Sequence, residues 1–320
     1  MSGAGCAISR IAAEVEVTST TTFRHRGVQR DARGLPMVDF LGKFLYLYYF
    51  AGDCATTEYL FAGGGPDGPL WAEEDAAFVR AIAAADRGKG FHSPGWTVVS
   101  ASTDNTAVVA MDGCLLTVPL PGAVPGTSVA VTFPGYRRYA QRGWYVIVGD
   151  AGSCPLAEGL VLRVYLAPRA PEEVPTLVSV LTGGLNEQGI RFHIKVRNHP
   201  ASYHRRDAFI VYLRACDWAA CRPVVEKAAT MGLRCTTPDF TYPQAPGVGL
   251  AEEPSCGGLS FGQHRSRLVA EGLVSAADDA AVSAADRAKA VVARFRADGL
   301  DELRPYRHSP ELDPVFVPWG

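Results

Sequence analysis

Apolar residues recur at helical spacing from Met37 to Tyr48, with Phe40, Leu41, Phe44 and Leu45 on one stripe. This predicts a helix over 37–51. The same period runs from Trp71 to Arg87, where Gly88 stops it. Between the two, AGGGPDGP reads as a flexible connection. The pattern then shortens to strands over 96–102, 106–111 and 114–118, with Asp112-Gly113 as a tight turn, and continues as strands over 128–133, 144–148 and 160–167. Residues 171–186 predict a helix with proline at its start and acidic residues in its first turn. Strands follow at 190–196 and 208–213, then a helix over 217–231 with Asp217 as N-cap. The Pro/Gly-rich stretch 236–258 reads as extended, and two helices are expected at 260–276 and 278–298.

Helices cluster at both ends and strands in the middle. The expected class is α+β, a central mixed or antiparallel sheet flanked by helices, with helical N- and C-terminal segments. The expected division is an N-terminal segment at 1–36, a helical plus small β subdomain at 37–125, a catalytic α+β domain at 126–300 and a tail at 301–320.

Composition narrows the function. A net charge of −2 over 320 residues gives no global basic field, so nucleic acid is not an expected partner. No apolar run approaches the roughly 20 residues of a membrane span. The start, MSGAGCAISRIAAEVEV, lacks a signal-peptide core, so a cytoplasmic location is expected. The eight cysteines form no CxxC, and reduced thiols with no metal and no cofactor are expected. Of 31 basic residues only five are lysine: Lys43, Lys89, Lys195, Lys227 and Lys289. Lysine, unlike arginine, can lose its proton near neutral pH when its surroundings lower its pKa.

One segment singles out Lys195. In IRFHIKV (190–196) the residues alternate. Ile190, Phe192, Ile194 and Val196 face a core, and Arg191, His193 and Lys195 share the other face, spaced about 7 Å apart. A solvated basic strand face is the simpler alternative. Against it stand a second cationic group, Tyr203-His204-Arg205-Arg206, an apolar following strand, and His264-Arg265 at the start of a predicted helix whose N-terminus favours anions. Four of the seven histidines fall between 193 and 264. Arginines pair bidentately with phosphate. A lysine among them has its charged form disfavoured and can act as a base, with a neighbouring histidine as acid. These parts fit β-elimination of phosphate from a phosphorylated residue, whereas hydrolysis would call for a metal, a cysteine in a loop cradle or an aspartate nucleophile.

At these residues the chain resembles the HopA-type effector family. The resemblance is carried by FHIKVRNHPASYHRRDAFIVYL (192–213) and GVGLAEEPSCGGLSFGQHRSRLVAEGL (247–273), with LYLYYFAG (45–52), FVRAIAAADRGKGFHSPGWTVV (78–99), FPGYRRYAQRGWYVIVGD (133–150) and LRVYLA (162–167) upstream. It implies a phosphoserine or phosphothreonine lyase. Such an enzyme would act on a precursor peptide phosphorylated by an aminoglycoside-phosphotransferase-like kinase, giving dehydroalanine or dehydrobutyrine as in class V lanthipeptide and thioamitide biosynthesis. Kinship with effector phosphothreonine lyases implies a Lys-x-His pair on one strand; here the order is reversed, His193-Ile194-Lys195. Lys195 is accordingly expected as base and His193 as acid, with Tyr203 orienting. Arg191, Arg205, Arg206 and Arg265 are expected on phosphate, with Arg163 and His264 behind them, and His204 and His264 are reserve acids. The reversed order leaves a second reading open, a non-catalytic module that binds a phosphopeptide or partner.

Overall fold

The computed structural model describes residues 3–63, 73–254, 258–278 and 282–319. The Trp71 start of the second predicted helix, residues 64–69 of the glycine-rich connection and Cys256 lie outside them. The helices are α1 Gly3–Glu14, α2 Met37–Leu45, α3 Cys54–Ala62, α4 Ala76–Ala85, α5 Val174–Glu187, α6 Trp218–Ala229, α7 Phe261–Ser275 and α8 Ala284–Ala297. The first strands, β1 Val15–Val17, β2 Thr22–His25 and β3 Val28–Asp31, form a small antiparallel sheet. A four-stranded sheet follows, in the order β6-β5-β4-β7, from β4 Phe91–Ala101, β5 Thr106–Met111, β6 Cys114–Pro119 and β7 Ser128–Phe133. The third sheet is built from β8 Tyr136–Arg137, β9 Trp144–Val148, β10 Val161–Leu166, β11 Phe192–Arg197, β12 Phe209–Arg214, β13 Tyr242–Ala245 and β14 Val248–Glu252. Its order is β13-β14-β10-β12-β11-β9-β8, and every pairing is antiparallel. The fold is α+β.

The large sheet is covered on both faces, which is why every residue of β9, β10 and β14 is buried and these strands show no apolar–polar alternation. On one face Leu162, Val164, Phe192, Ile194, Val196, Phe209 and Val211 pack against α4, α5 and α6. On the other, Trp144, Val161, Tyr165, Ile210, Tyr212 and Ala251 meet a helical layer made of α1, α2, α3, α7 and α8. The four-stranded sheet has its own small core of Trp96, Val98, Ala107, Val109 and Val131. No helix among the described residues is long and apolar enough to cross a membrane.

Several local expectations are corrected. Helix α2 stops at Leu45 and passes into a π-helical turn, Tyr46–Phe50, that carries three tyrosines. The N-terminal 36 residues hold α1 and the small sheet. Strand β7 lies beyond residue 125 yet pairs with β4, so the four-stranded sheet closes only at Phe133. The stretch 236–258 contains β13 and β14, and β14 is an interior strand. Asp217 sits at the N-cap of α6 but spends its carboxylate on Arg214. Residues 301–319 are no free tail, since Leu312, Val315 and Phe316 complete the core under α4–α6.

The helical layer sits close to the sheet because α7 begins Phe261-Gly262. A Cβ at Gly262 would overlap the Phe50 ring, itself wedged between Tyr165 and Phe261. Gly262→Ala is expected to cost about 1–3 kcal/mol through overpacking. Chemical denaturation would register this as a lower midpoint with an unchanged slope.

Candidate functional site

The strand register assembles the site. Arg163 on β10, Tyr212 on β12 and His193 on β11 lie in one row across three strands, and Lys195 lies one pleat further along β11 beside Ile210. All point to the helical side. Tyr212 is the hub: His193 stacks on it at 4.1 Å between ring centroids, the Arg163 guanidinium sits 4.9 Å from its centre and the Lys195 amine 5.3 Å away. Such cation–ring contacts hold both charges beside one aromatic ring.

Lys195 is half-buried, and its Nζ donates to Gln141 Oε1 at 3.2 Å, a neutral partner. Burial, then the nearby Arg163 charge, push its pKa below the usual lysine value. Arg163 is buried; it donates through Nη1 to the Tyr165 hydroxyl at 3.2 Å and through Nη2 to Glu253 at 2.6 Å. Two adjoining cavities meet at Lys195 and Arg163, an inner one of about 90 Å³ and an outer one of about 340 Å³. Gln141, Ser260 and Gln263 line both. Ser260 caps α7 and Gln263 closes the capping box, so the helix N-terminus opens onto the cavity. The inner wall carries Tyr46, Tyr165, Asp207 and Tyr212.

Of the residues expected from the sequence, Lys195 and Arg163 line these cavities, and the rest are employed elsewhere. His193 lies beneath Tyr212, lines neither cavity, and its Nδ1 is enclosed without a hydrogen-bond partner. Burial, then the Lys195, Arg163 and Arg137 charges, push its pKa down to about 3. At neutral pH it is an uncharged imidazole and carries no proton to give as an imidazolium. Tyr203 belongs to the opposite core, where its hydroxyl donates to the Arg197 carbonyl at 2.8 Å and its ring packs on Phe78.

The four remaining arginines are already paired. Arg191 pairs with Glu158. Arg205 is fully buried between Asp207 and Asp53, and its Nη2 also donates to the Tyr46 hydroxyl. Arg206 reaches the Tyr49 carbonyl and Asp239. Arg265 donates to the Pro305 carbonyl and to Nδ1 of both His264 and His308. His204 bonds Asp53 at 2.8 Å.

His193 and His264 make part of the folding stability depend on pH. His193 binds fewer protons folded than unfolded between pH 6.5 and about 3. Its contribution is therefore complete above 6.5 and falls as the solution is acidified. By pH 5 the loss is about 2 kcal/mol, and His264, pushed down to about 4 by burial and Arg265, acts in the same direction. Denaturant midpoints at pH 7.5 and pH 5 should show this decline, and His193→Phe, which keeps the ring stack, should flatten it. An equally steep decline in that variant would exclude His193 as its source.

His264, Asp298 and His308 also gather their ligand atoms within 4.8 Å of one another, but they fit a metal poorly. Each Nδ1 accepts an Arg265 N–H, which places the neutral rings' protons on Nε2, the atoms facing Asp298. A metal-binding histidine has the reverse arrangement, its outer nitrogen donating to an acceptor. The cluster ties α7 to α8 and to residues 298–308.

Tyr212, Gln141, Glu253, Tyr46 and Asp207 were not anticipated. For Ser260 and Gln263 a signal was present in the sequence, the Ser-x-x-Gln spacing of a capping box.

The model of the HopA1 effector protein family matches residues 136–307, just over half of the chain. The chain belongs to the HopA1 effector protein family. The span matched to HopA1 holds Gln141, Arg163, Lys195, Tyr212, Glu253 and Gln263, whereas Tyr46 comes from outside it. Two similar solved structures are effector proteins of Pseudomonas syringae. That of pathovar tomato strain DC3000 is 15% identical with a TM-score of 0.41, over 51% of this chain and 62% of that one. That of pathovar syringae strain 61 is 15% identical with a TM-score of 0.44, over 72% and 82%. This HopA1-family chain thus spans under two thirds of the first. No curated protein sequence matches it.

Proposed function

We propose that this chain is a phosphoserine/phosphothreonine lyase acting on a phosphorylated peptide, with Lys195 as its base. The observation that carries the reading is a half-buried lysine whose pKa is lowered and whose hydrogen-bond partner is an amide, not a carboxylate, beside a buried arginine in one cavity. Lys195 in its amine form takes the α-proton. The C–H electron pair forms the Cα–Cβ double bond, the Cβ–O bond breaks, and its electrons leave with phosphate. The ammonium formed on Lys195 can return the proton to the departing phosphate oxygen, so no separate imidazolium is needed. Arg163 and the α7 N-terminus face the charge that develops on phosphate. Tyr212, whose pKa burial raises, keeps its hydroxyl proton as a further donor.

Serine would give dehydroalanine and threonine dehydrobutyrine. An aminoglycoside-phosphotransferase-like kinase acting on a lanthipeptide-type precursor would supply the substrate in a cytoplasmic setting. A synthetic phosphothreonine peptide incubated with the protein should release inorganic phosphate and gain a dehydrobutyrine seen by mass spectrometry. A specific observation favours the second reading, a binding module: Arg163 is already neutralised by Glu253, and no histidine stands in the cavity. Binding of the phosphopeptide with no release of phosphate would select that reading.

A further inference from the structure

A third cavity, of about 320 Å³, lies between α2 and α7. Val38, Gly42, Leu47 and Leu259 form its apolar walls, with Lys43 and Arg267 at its rim. It is continuous with the site above: Tyr46 and Gln263 are shared with the inner cavity, and Leu259 and Gln263 with the outer one. The apolar cavity therefore adjoins the two that hold the Lys195 amine.

We propose that the apolar end is a specificity subsite for an aliphatic or aromatic side chain of the same peptide whose phosphorylated residue reaches Lys195. The proposal rests on the phosphopeptide reading. Val38 and Tyr46 are eight positions apart in the sequence, about 12 Å at helical rise. An extended peptide covers that length in about four residues, and Lys195 lines only the cavities beyond Tyr46, so anchor and phosphorylated residue stand at least that far apart. Arg267 is already tied to Asp39 and Glu271. Lys43 is exposed at the rim and free of an ion pair among the described residues. A carboxylate next to the anchor would meet it.

The test uses the full chain and a series of fluorescent phosphothreonine peptides in which a single Leu is moved along an otherwise small-residue sequence. Affinity should peak with the Leu at one position, about four or more residues from the phosphothreonine, and burying that side chain should tighten binding about tenfold. Val38→Lys and Val38→Glu, both at a half-buried wall position that lines neither of the Lys195 cavities, should erase the dependence on Leu position while a short phosphothreonine peptide binds as before. Should those variants fold poorly, Lys43→Glu serves instead: it should weaken a peptide with an acidic residue beside Leu, and a basic residue there should restore binding.

Affinity independent of Leu position, or unchanged in the variants, overturns the subsite even if phosphate is eliminated. Leu-dependent binding without elimination keeps the subsite and removes the lyase.

Discussion

Lys195→Ala is expected to abolish dehydroamino acid formation, lowering the rate about a thousand-fold, while the phosphorylated peptide accumulates intact. Loss of a positioned base accounts for an effect of this order. Lys195→Arg should be equally inactive, because guanidinium keeps its proton throughout the working range. In the wild type the rate should rise with pH and level off once Lys195 has lost its proton, below the usual lysine value, because burial and then Arg163 disfavour its charge. Arg163→Gln removes the neighbouring cation. It should move that limb to higher pH and raise KM for the phosphopeptide, a pairing that a purely structural role for Arg163 would not produce. Continued dehydration by Lys195→Ala would remove Lys195 as the base.

Arg205→Ala is expected to have the largest effect on stability, about 3–5 kcal/mol, read from equilibrium denaturation. Arg205 is 1% exposed and bridges Asp207 and Asp53, two buried carboxylates. Removing one member of such a network leaves uncompensated buried charge. Burial works to raise Asp53, but hydrogen bonds from His204 and Thr56 and the Arg205 charge outweigh it and hold the carboxyl at about 2. That contribution is complete above the ordinary value of 3.8 and is lost as pH falls toward 2. In the variant, Asp53 and Asp207 should both titrate higher, so acid should destabilise it less steeply than the wild type. Because Asp207 and Tyr46 line the inner cavity, activity should fall with folding rather than through loss of a phosphate ligand. A variant as stable as the wild type would leave Arg205 free for the substrate-binding role first expected of it.

The strand alternation in IRFHIKV was legible because period two is a local property of the chain. It placed Phe192, Ile194 and Val196 in the core and His193 and Lys195 on the opposite face, as found. The α+β class and most element positions were legible for the same reason. The strand β14 within 236–258 was not, because a strand covered on both faces needs no alternating pattern, and Pro238, Pro243 and Pro246 mask it.

Which cation serves the cavity could not be read from residue type. Arg163, Arg191, Arg205, Arg206 and Arg265 carry the same charge in the sequence, and each spends it on acceptors that chain order does not reveal: Glu253, Glu158, Asp53 and Asp207, Asp239, and the Pro305 carbonyl; of the five, Arg163 does so at the wall of the Lys195 cavity. By itself the sequence determined the class of fold and the strand face that holds Lys195, since both follow from periodicity within a few residues. Tertiary structure alone decided that Arg163 joins Lys195 around Tyr212, that His193 stays neutral, and that the apolar cavity between α2 and α7 adjoins theirs. Partners in space and the water removed around them set charge and pKa, and those partners lie tens of residues apart along the chain.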